Sequence, residues 1–259
     1  MRIVVKVGTS TLAHASGCIN IRRVEGLCRV LADLKNEGHE ILLVSSGAIG
    51  MGMGRLRLAE KPADMPTKQA CAAVGQCELM YVYDKLFTGY SHVTAQVLLT
   101  GADIEHDERR VNVQNTLNRL LSMGTLPVVN ENDTVSTEEI SMGDNDTLSA
   151  IVACLCGADL LVILSDIDGL YDCDPHKNPD ARLLREVRGV TDDILNMAGG
   201  AGSSLGTGGM ATKLRAAAIA GGSGIDMVIM NGSRPEKLYD LLEGEPVGTR
   251  FLHTEEACL

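Results

Sequence analysis

Chemistry in this chain has to come from two lysines and a handful of glycine- and amide-rich segments. Lys6 stands inside the apolar run Ile3-Val4-Val5-Lys6-Val7. An ammonium there is costly unless it meets a negative partner or snorkels to water from the strand end. Gly8-Thr9-Ser10 follows at once, and small residues with free backbone N–H groups suit a phosphate. The second lysine closes the run Thr207-Gly208-Gly209-Met210-Ala211-Thr212-Lys213, and the stretch from Gly199 to Gly209 holds six glycines. Glycine-rich amides, a helix N-terminus and a lysine make an anion cradle. A flexible loop is the plainer reading, and the two are compatible because lids move. Gly206-x-Gly208-x-x-Ala211 fits the dinucleotide fingerprint nominally, but no strand precedes it, and Leu214 after Lys213 departs from a Walker A sequence.

Carboxylates stand beside carboxamides in Asn130-Glu131-Asn132-Asp133 and again in Gly143-Asp144-Asn145-Asp146. Such sets suit a zwitterion, since carboxylates accept from an ammonium and amides donate to a carboxylate. One of residues 144–146 is expected to cap the helix that starts there, which leaves the others unexplained. Ser45-Ser46-Gly47-Ala48 adds a hydroxyl and a close backbone approach, although alone it reads as a helix entry. None of these motifs contains a Ser/His/Asp or Cys/His arrangement.

The elements that must position these residues alternate from end to end. Short β-branched runs at 3–7, 41–45, 92–97, 126–129, 160–164 and 225–230 predict strands. Helical spacing predicts helices from Val24 to the stop at Gly38, and over 67–87, 111–123, 146–156 and 210–220, with a glycine-rich turn at Gly47. Continuous apolar strands between helices mean a mainly parallel sheet covered on both faces, which binds ligands at the carboxyl ends of its strands. Every polar segment named above follows a strand or opens a helix. The pattern predicts one α/β domain over residues 1–259, in two lobes. A net charge of −11 disfavours nucleic acid as a partner. The eight cysteines form no CxxC pair and read as small reduced core residues of a cytoplasmic protein. The longest apolar stretch, 151–164, is too short for a bilayer and contains Asp159, so no membrane is expected.

Taken in order, Val-Lys-Val-Gly-Thr-Ser, Ser-Ser-Gly-Ala, Asn-Glu-Asn-Asp, Gly-Asp-Asn-Asp, Ser-Asp-x-x-Gly-Leu-Tyr and Gly-Thr-Gly-Gly-Met-x-Thr-Lys resemble the amino acid kinase family, and within it the branch whose acceptor is L-glutamate. The resemblance covers essentially the whole chain. It implies a three-layer α/β/α sandwich, with an acceptor lobe over about 1–157 and an ATP lobe over about 158–259. Lys6 and Lys213 match the family's phosphate-stabilising lysines, and Asp144 is taken as the aspartate that organises them. Ser46, Asp133 and Asn145 match glutamate-contacting positions, with Asn130 and Asp146 as weaker candidates. Ser165, Asp166 and the run Thr207, Gly208, Gly209, Met210, Ala211, Thr212 and Lys213 match the nucleotide site. Ser165 replaces the usual threonine and keeps its hydroxyl. Many relatives continue into a C-terminal PUA domain, whereas this chain stops at Leu259, so it is expected to be the form lacking that domain.

The resemblance further implies ATP and Mg²⁺, with no protein ligand assigned to the metal, a homo-oligomer (dimer or tetramer), and L-proline as a feedback inhibitor. A glutamate side chain, with a reference pKa of about 4.3, is already ionised at neutral pH and needs no general base. What remains is to align two anions and to stabilise charge on the transferring phosphoryl group. Another carboxylate or carbamate kinase of the same fold is the near alternative. A non-catalytic oxyanion- or nucleotide-binding protein is the distant one.

Overall fold

The computed structural model describes residues 1–14, 18–136, 144–175, 177–191, 194–195 and 209–253. Its centre is β1 (Arg2–Val7), flanked by β2 (Glu40–Ser45) and β5 (Leu160–Ser165), each parallel to it. Beyond β2 come β4 (Leu126–Glu131) and the edge strand β3 (Thr94–Leu99). Beyond β5 come β7 (Asp226–Asn231), β8 (Thr249–Leu252) and the edge strand β6 (Glu186–Arg188), so the sheet runs β3-β4-β2-β1-β5-β7-β8-β6. The β7–β8 pair is antiparallel and the other pairs are parallel. Apolar runs as continuous as Ile41–Val44 and Leu160–Leu164 are what a strand covered on both faces requires.

Alternation along the strands divides the core into two. Ile3, Val5 and Val7 face one layer, with α2 (Ile21–Asn36), α3 (Ala48–Leu56), α4 (Met65–Thr88) and α9 (Lys237–Leu242) supplying Leu27, Met51, Leu79 and Leu238. Val4, Leu42, Val44 and Ile163 face the other, against α6 (Asp107–Ser122), α7 (Asn145–Cys156) and α8 (Met210–Gly221). The α2, α4 and α7 N-termini are each capped by a side chain, from Asn20, Asp64 and Asp144 respectively.

Several features depart from expectation, among them α9, which lies where no helix was read. The segment after Gly47 is not only a turn but the helix α3, and β6 and β8 lie where no strand was read. The α3 sequence, with glycines at 50, 52 and 54, has a poor intrinsic helix propensity. It forms because Gly52, with Gly75 across from it, lets it lie directly on α4. A Cβ at Gly52 would stand 1.8 Å from the Cys71 carbonyl oxygen, and one at Gly75 would stand 1.7 Å from that of Ala48. The two backbones therefore touch, and Gly47, at φ +109°, turns the end of β2 into this contact. Strands β6 and β8 are only three and four residues long, too short for a clear alternation.

Gly75→Ala should consequently destabilise the fold by about 1–3 kcal/mol through overpacking. Gly26→Ala is the control, because its added Cβ would meet nothing closer than Pro235 Cγ at 3.6 Å. That change should be neutral or stabilising by up to about 1 kcal/mol. Thermal melts of both variants decide it, and equal midpoints would refute the backbone contact.

Candidate functional site

The two-residue period of β1 puts Lys6 on the same face as Val4, under α7 and α8. Burial on α7 recurs at 146, 149, 150 and 153, so Asp146 lies on the inward stripe of that helix. The Lys6 ammonium stands 2.6 Å from Asp146 Oδ1, and the Lys213 ammonium, from α8, 3.1 Å from Oδ2. Thr212 Oγ1 donates to that second oxygen at 2.8 Å. The carboxylate is fully buried and both lysine side chains are under one tenth exposed. Burial alone would raise the Asp146 pKa, but the charges of Lys6 and Lys213 and the hydrogen bonds from Lys6 and Thr212 outweigh it and hold the carboxyl below the usual range. Two positive charges thus converge on one negative charge in a site screened from water.

The family pattern had assigned this bridging place to Asp144, and the structure corrects that. Asp144 is the N-cap of α7: its carboxylate accepts from Thr147 N at 2.9 Å and from Thr147 Oγ1 at 3.1 Å, and it meets neither lysine. The physical reason is helix phase, since an N-cap side chain turns back onto the helix's own amides, while the residue two places later points into the core. For the same reason Asp146, fully buried between lysines, is not open to a substrate ammonium.

Beside this cluster the ends of β2 and β4 and the start of α7 bring Ser46, Asn130 and Asn145 together. Asn145 Nδ2 donates to Ser46 Oγ at 2.7 Å and to Asn130 Oδ1 at 2.9 Å. Asn130 Nδ2 donates in turn to Gln76 Oε1 on α4 at 3.0 Å. Ser45, the preceding residue on β2, is tied to the buried Tyr83 hydroxyl at 2.8 Å. Asp133 lies just past β4, half-buried, and burial together with the charge of Glu131 pushes its pKa up to about 6. Among the described residues no cation sets against that shift. Such a carboxyl is a poor solvent-facing anion and a good partner for an incoming ammonium.

On the other side of Lys6, Ser165 ends β5 and its hydroxyl donates to Asp166 Oδ1 at 3.1 Å. Gly209 is the N-cap of α8 and offers no capping side chain, so the first amides of that helix, over Met210, Ala211 and Thr212, remain able to face an anion. Thr207 and Gly208 lie outside the described residues. Among the described residues no group of three or more His, Cys, Asp or Glu gathers as a metal site, and no helix is long and apolar enough to cross a membrane. Gln76 is the participant that motif reading missed. Its signal was available: it is a polar residue on the buried stripe of α4 that carries Ala72, Leu79 and Tyr83.

Residues 1–231 match the domain model of the amino acid kinase family. The glutamate 5-kinase of Clostridium perfringens (strain 13 / Type A) is 56% identical over 255 residues, covering 97% of this chain and 95% of that protein. The glutamate 5-kinase of Clostridium acetobutylicum is 54% identical, covering 97% and 94% respectively. Among solved structures, the carbamate kinase from Giardia lamblia bound to AMP-PNP superposes with a TM-score of 0.69 at 18% identity over 98% of each chain, which speaks to the fold alone. A family domain matched across most of the sequence, and relatives more than half identical along nearly all of it, place this chain in the amino acid kinase family.

Proposed function

We propose that this protein transfers the γ-phosphoryl group of ATP to the side-chain carboxylate of L-glutamate, giving ADP and L-glutamyl 5-phosphate, the first step of proline biosynthesis. The observation that carries this reading is the buried Lys6–Asp146–Lys213 cluster, set at the strand ends between the Ser165 side and the Ser46–Asn145 side. The acceptor lobe (about 1–157) binds glutamate: its ammonium meets Asp133 and Asn145 Oδ1, and Ser46 contacts its carboxylate. The ATP lobe (about 158–259) holds the nucleotide through Ser165, Asp166 and the run from Thr207 to Lys213.

The acceptor oxygen is already an anion, so no proton has to be moved. One O–P bond forms as the β,γ-bridging bond breaks, and charge redistributes over the phosphoryl oxygens. Lys6 and Lys213 face that group from opposite lobes, and Asp146 holds the two ammoniums at a fixed separation. Both Asp146 oxygens already face lysines; a Mg²⁺ ion entering with ATP would supply neutralisation of phosphate charge, and no residue of this chain is assigned to hold it. Cytoplasmic location, a dimer or tetramer, and feedback inhibition by L-proline belong to the same proposal. Proline shares glutamate's α-amino acid core, and the polar sequence from Thr134 to Met142, of which 137–142 lie outside the described residues, stands between the two acid–amide motifs. Glutamate titrations at several proline concentrations test the inhibition, and no response at millimolar proline removes it.

Two predictions follow the charges. Lys6→Met keeps the aliphatic stem and should lower kcat by about 10²–10³-fold with little change in the melting midpoint. Asp146→Asn should be comparably damaging, whereas Asp144→Asn, which retains a good N-cap, should stay within about twofold of the parent. Glutamyl phosphate trapped as the hydroxamate measures all three, and the reverse ranking of the two aspartates would restore Asp144 to the centre.

The Asp133 carboxyl gives a pH signature. In the free protein it is protonated below its pKa of about 6 and so cannot pair with an ammonium. The kcat/KM for glutamate should therefore fall about tenfold per pH unit on the acid side, since this parameter reports ionisations of the free enzyme. Binding should also release a proton near that pH, because the arriving positive charge lowers the pKa. Calorimetry in buffers of different ionisation enthalpy reads the release. Asp133→Asn should abolish it and raise the glutamate KM far more than the ATP KM.

A further inference from the structure

We propose that Gln76 is a positioning residue that sets the donor and acceptor polarity of the acceptor site through a directional chain of carboxamides; the inference rests on the glutamate-binding reading above. Gln76 is buried on α4, two hydrogen bonds along from Asn145, and Asn130, its partner, is only 2% exposed. Every link in the chain runs the same way. Asn145 Nδ2 donates to Asn130 Oδ1, Asn130 Nδ2 donates to Gln76 Oε1, and Gln76 Nε2 points at Gln96 Oε1 on the edge strand β3, the loosest contact at 3.5 Å.

Direction matters because a carboxamide has two chemically opposite ends. Asn145 Nδ2 is committed to both Ser46 Oγ and Asn130 Oδ1. Its two N–H bonds are thereby used, and what it offers outward is Oδ1, an acceptor suited to an ammonium. Ser46 Oγ already accepts from Asn145, so its own proton is left to donate to a carboxylate. One chain therefore gives the site an acceptor and a donor side by side, the complement of an α-amino acid. Turning Asn145 over would place N–H groups toward the ammonium and withdraw the donor from Ser46.

Asn145 itself sits in the first turn of α7 and is not buried deeply enough to be locked by packing. What prevents the turn is Asn130 Oδ1, and Asn130 is oriented because its amide nitrogen is engaged by Gln76 Oε1. Gln76 is in turn held by its neighbour: Gly75 lies against the backbone of α3, which fixes the rotation of α4 at that point. The anchor of the acceptor polarity is thus a residue that reaches Asn145 only through Asn130.

The test compares Gln76→Leu, which removes the anchor at similar volume, with Gln76→Glu. The latter still presents an oxygen to Asn130 Nδ2, while the exposed Gln96 amide can turn to suit it. Gln76→Leu should raise the glutamate KM roughly five- to tenfold, the worth of about one neutral hydrogen bond, with kcat and the ATP KM within about twofold. Gln76→Glu should bring the glutamate KM back to within about twofold of the parent protein. An unchanged KM in Gln76→Leu, or equal loss in both variants, overturns the proposal. Side-chain amide NMR of the unsubstituted protein provides an arm that needs neither turnover nor a folded variant. Slow solvent exchange of the Asn130 and Asn145 amide protons supports the chain, and free exchange overturns it. Glutamate turnover by the unsubstituted protein in the same assay reports separately on the functional reading, so the two can fail independently.

Discussion

One fully buried carboxylate facing two ammoniums is the interaction on which the rest of the site depends. Burying Lys6 or Lys213 alone would cost several kcal/mol, and Asp146 offsets that cost for both. Holding two ammoniums on one carboxylate keeps both directed at a single place. A second anion is invited into a place where water screens little. Gly8 adjoins that place without side-chain bulk, since a Cβ there would stand 3.5 Å from Lys6 Nζ, and Gly209 opens α8 with no capping side chain.

The cluster also explains why the sheet is built as it is. Its three charged members come from a central strand and from two helices packed on the same face of it. Parallel strands bring their carboxyl ends to one edge, so Lys6, Ser46, Asn130 and Ser165 arrive together although they are far apart in sequence. On the opposite face, the glycine contact between α3 and α4 joins the Ser46 turn to Gln76. The acceptor residues are consequently held from both sides of the sheet.

Much of this was legible from residue types. A lysine in an apolar strand, a second lysine at a helix start and two acid–amide clusters pointed to residues that the candidate site gathers, and strand–helix alternation marked the fold. What escaped was geometry that short motifs do not carry. Asp144 and Asp146 are equivalent as letters in Gly-Asp-Asn-Asp, and only the helical stripe continued by Ser149, Ala150 and Ala153 tells them apart. Gln76 escaped because it lies outside any acidic or glycine-rich segment. The helix α3 escaped because its glycines, read by propensity, argue against a helix, whereas tertiary contact with α4 requires one of them, Gly52.

The register of the central strands has a metric consequence. Lys6 pairs with Val44 on one side and Ile163 on the other, so the proposed acceptor and nucleotide edges are one strand away from it in opposite directions. Neighbouring strands are spaced about 4.8 Å apart whatever their sequence. The sheet therefore acts as a ruler, relating the proposed donor and acceptor edges by the pitch of backbone hydrogen bonding. Side chains alternate faces at every step, so a slip of β1 by a single residue would leave this spacing intact and carry the Lys6 ammonium through to the wrong side.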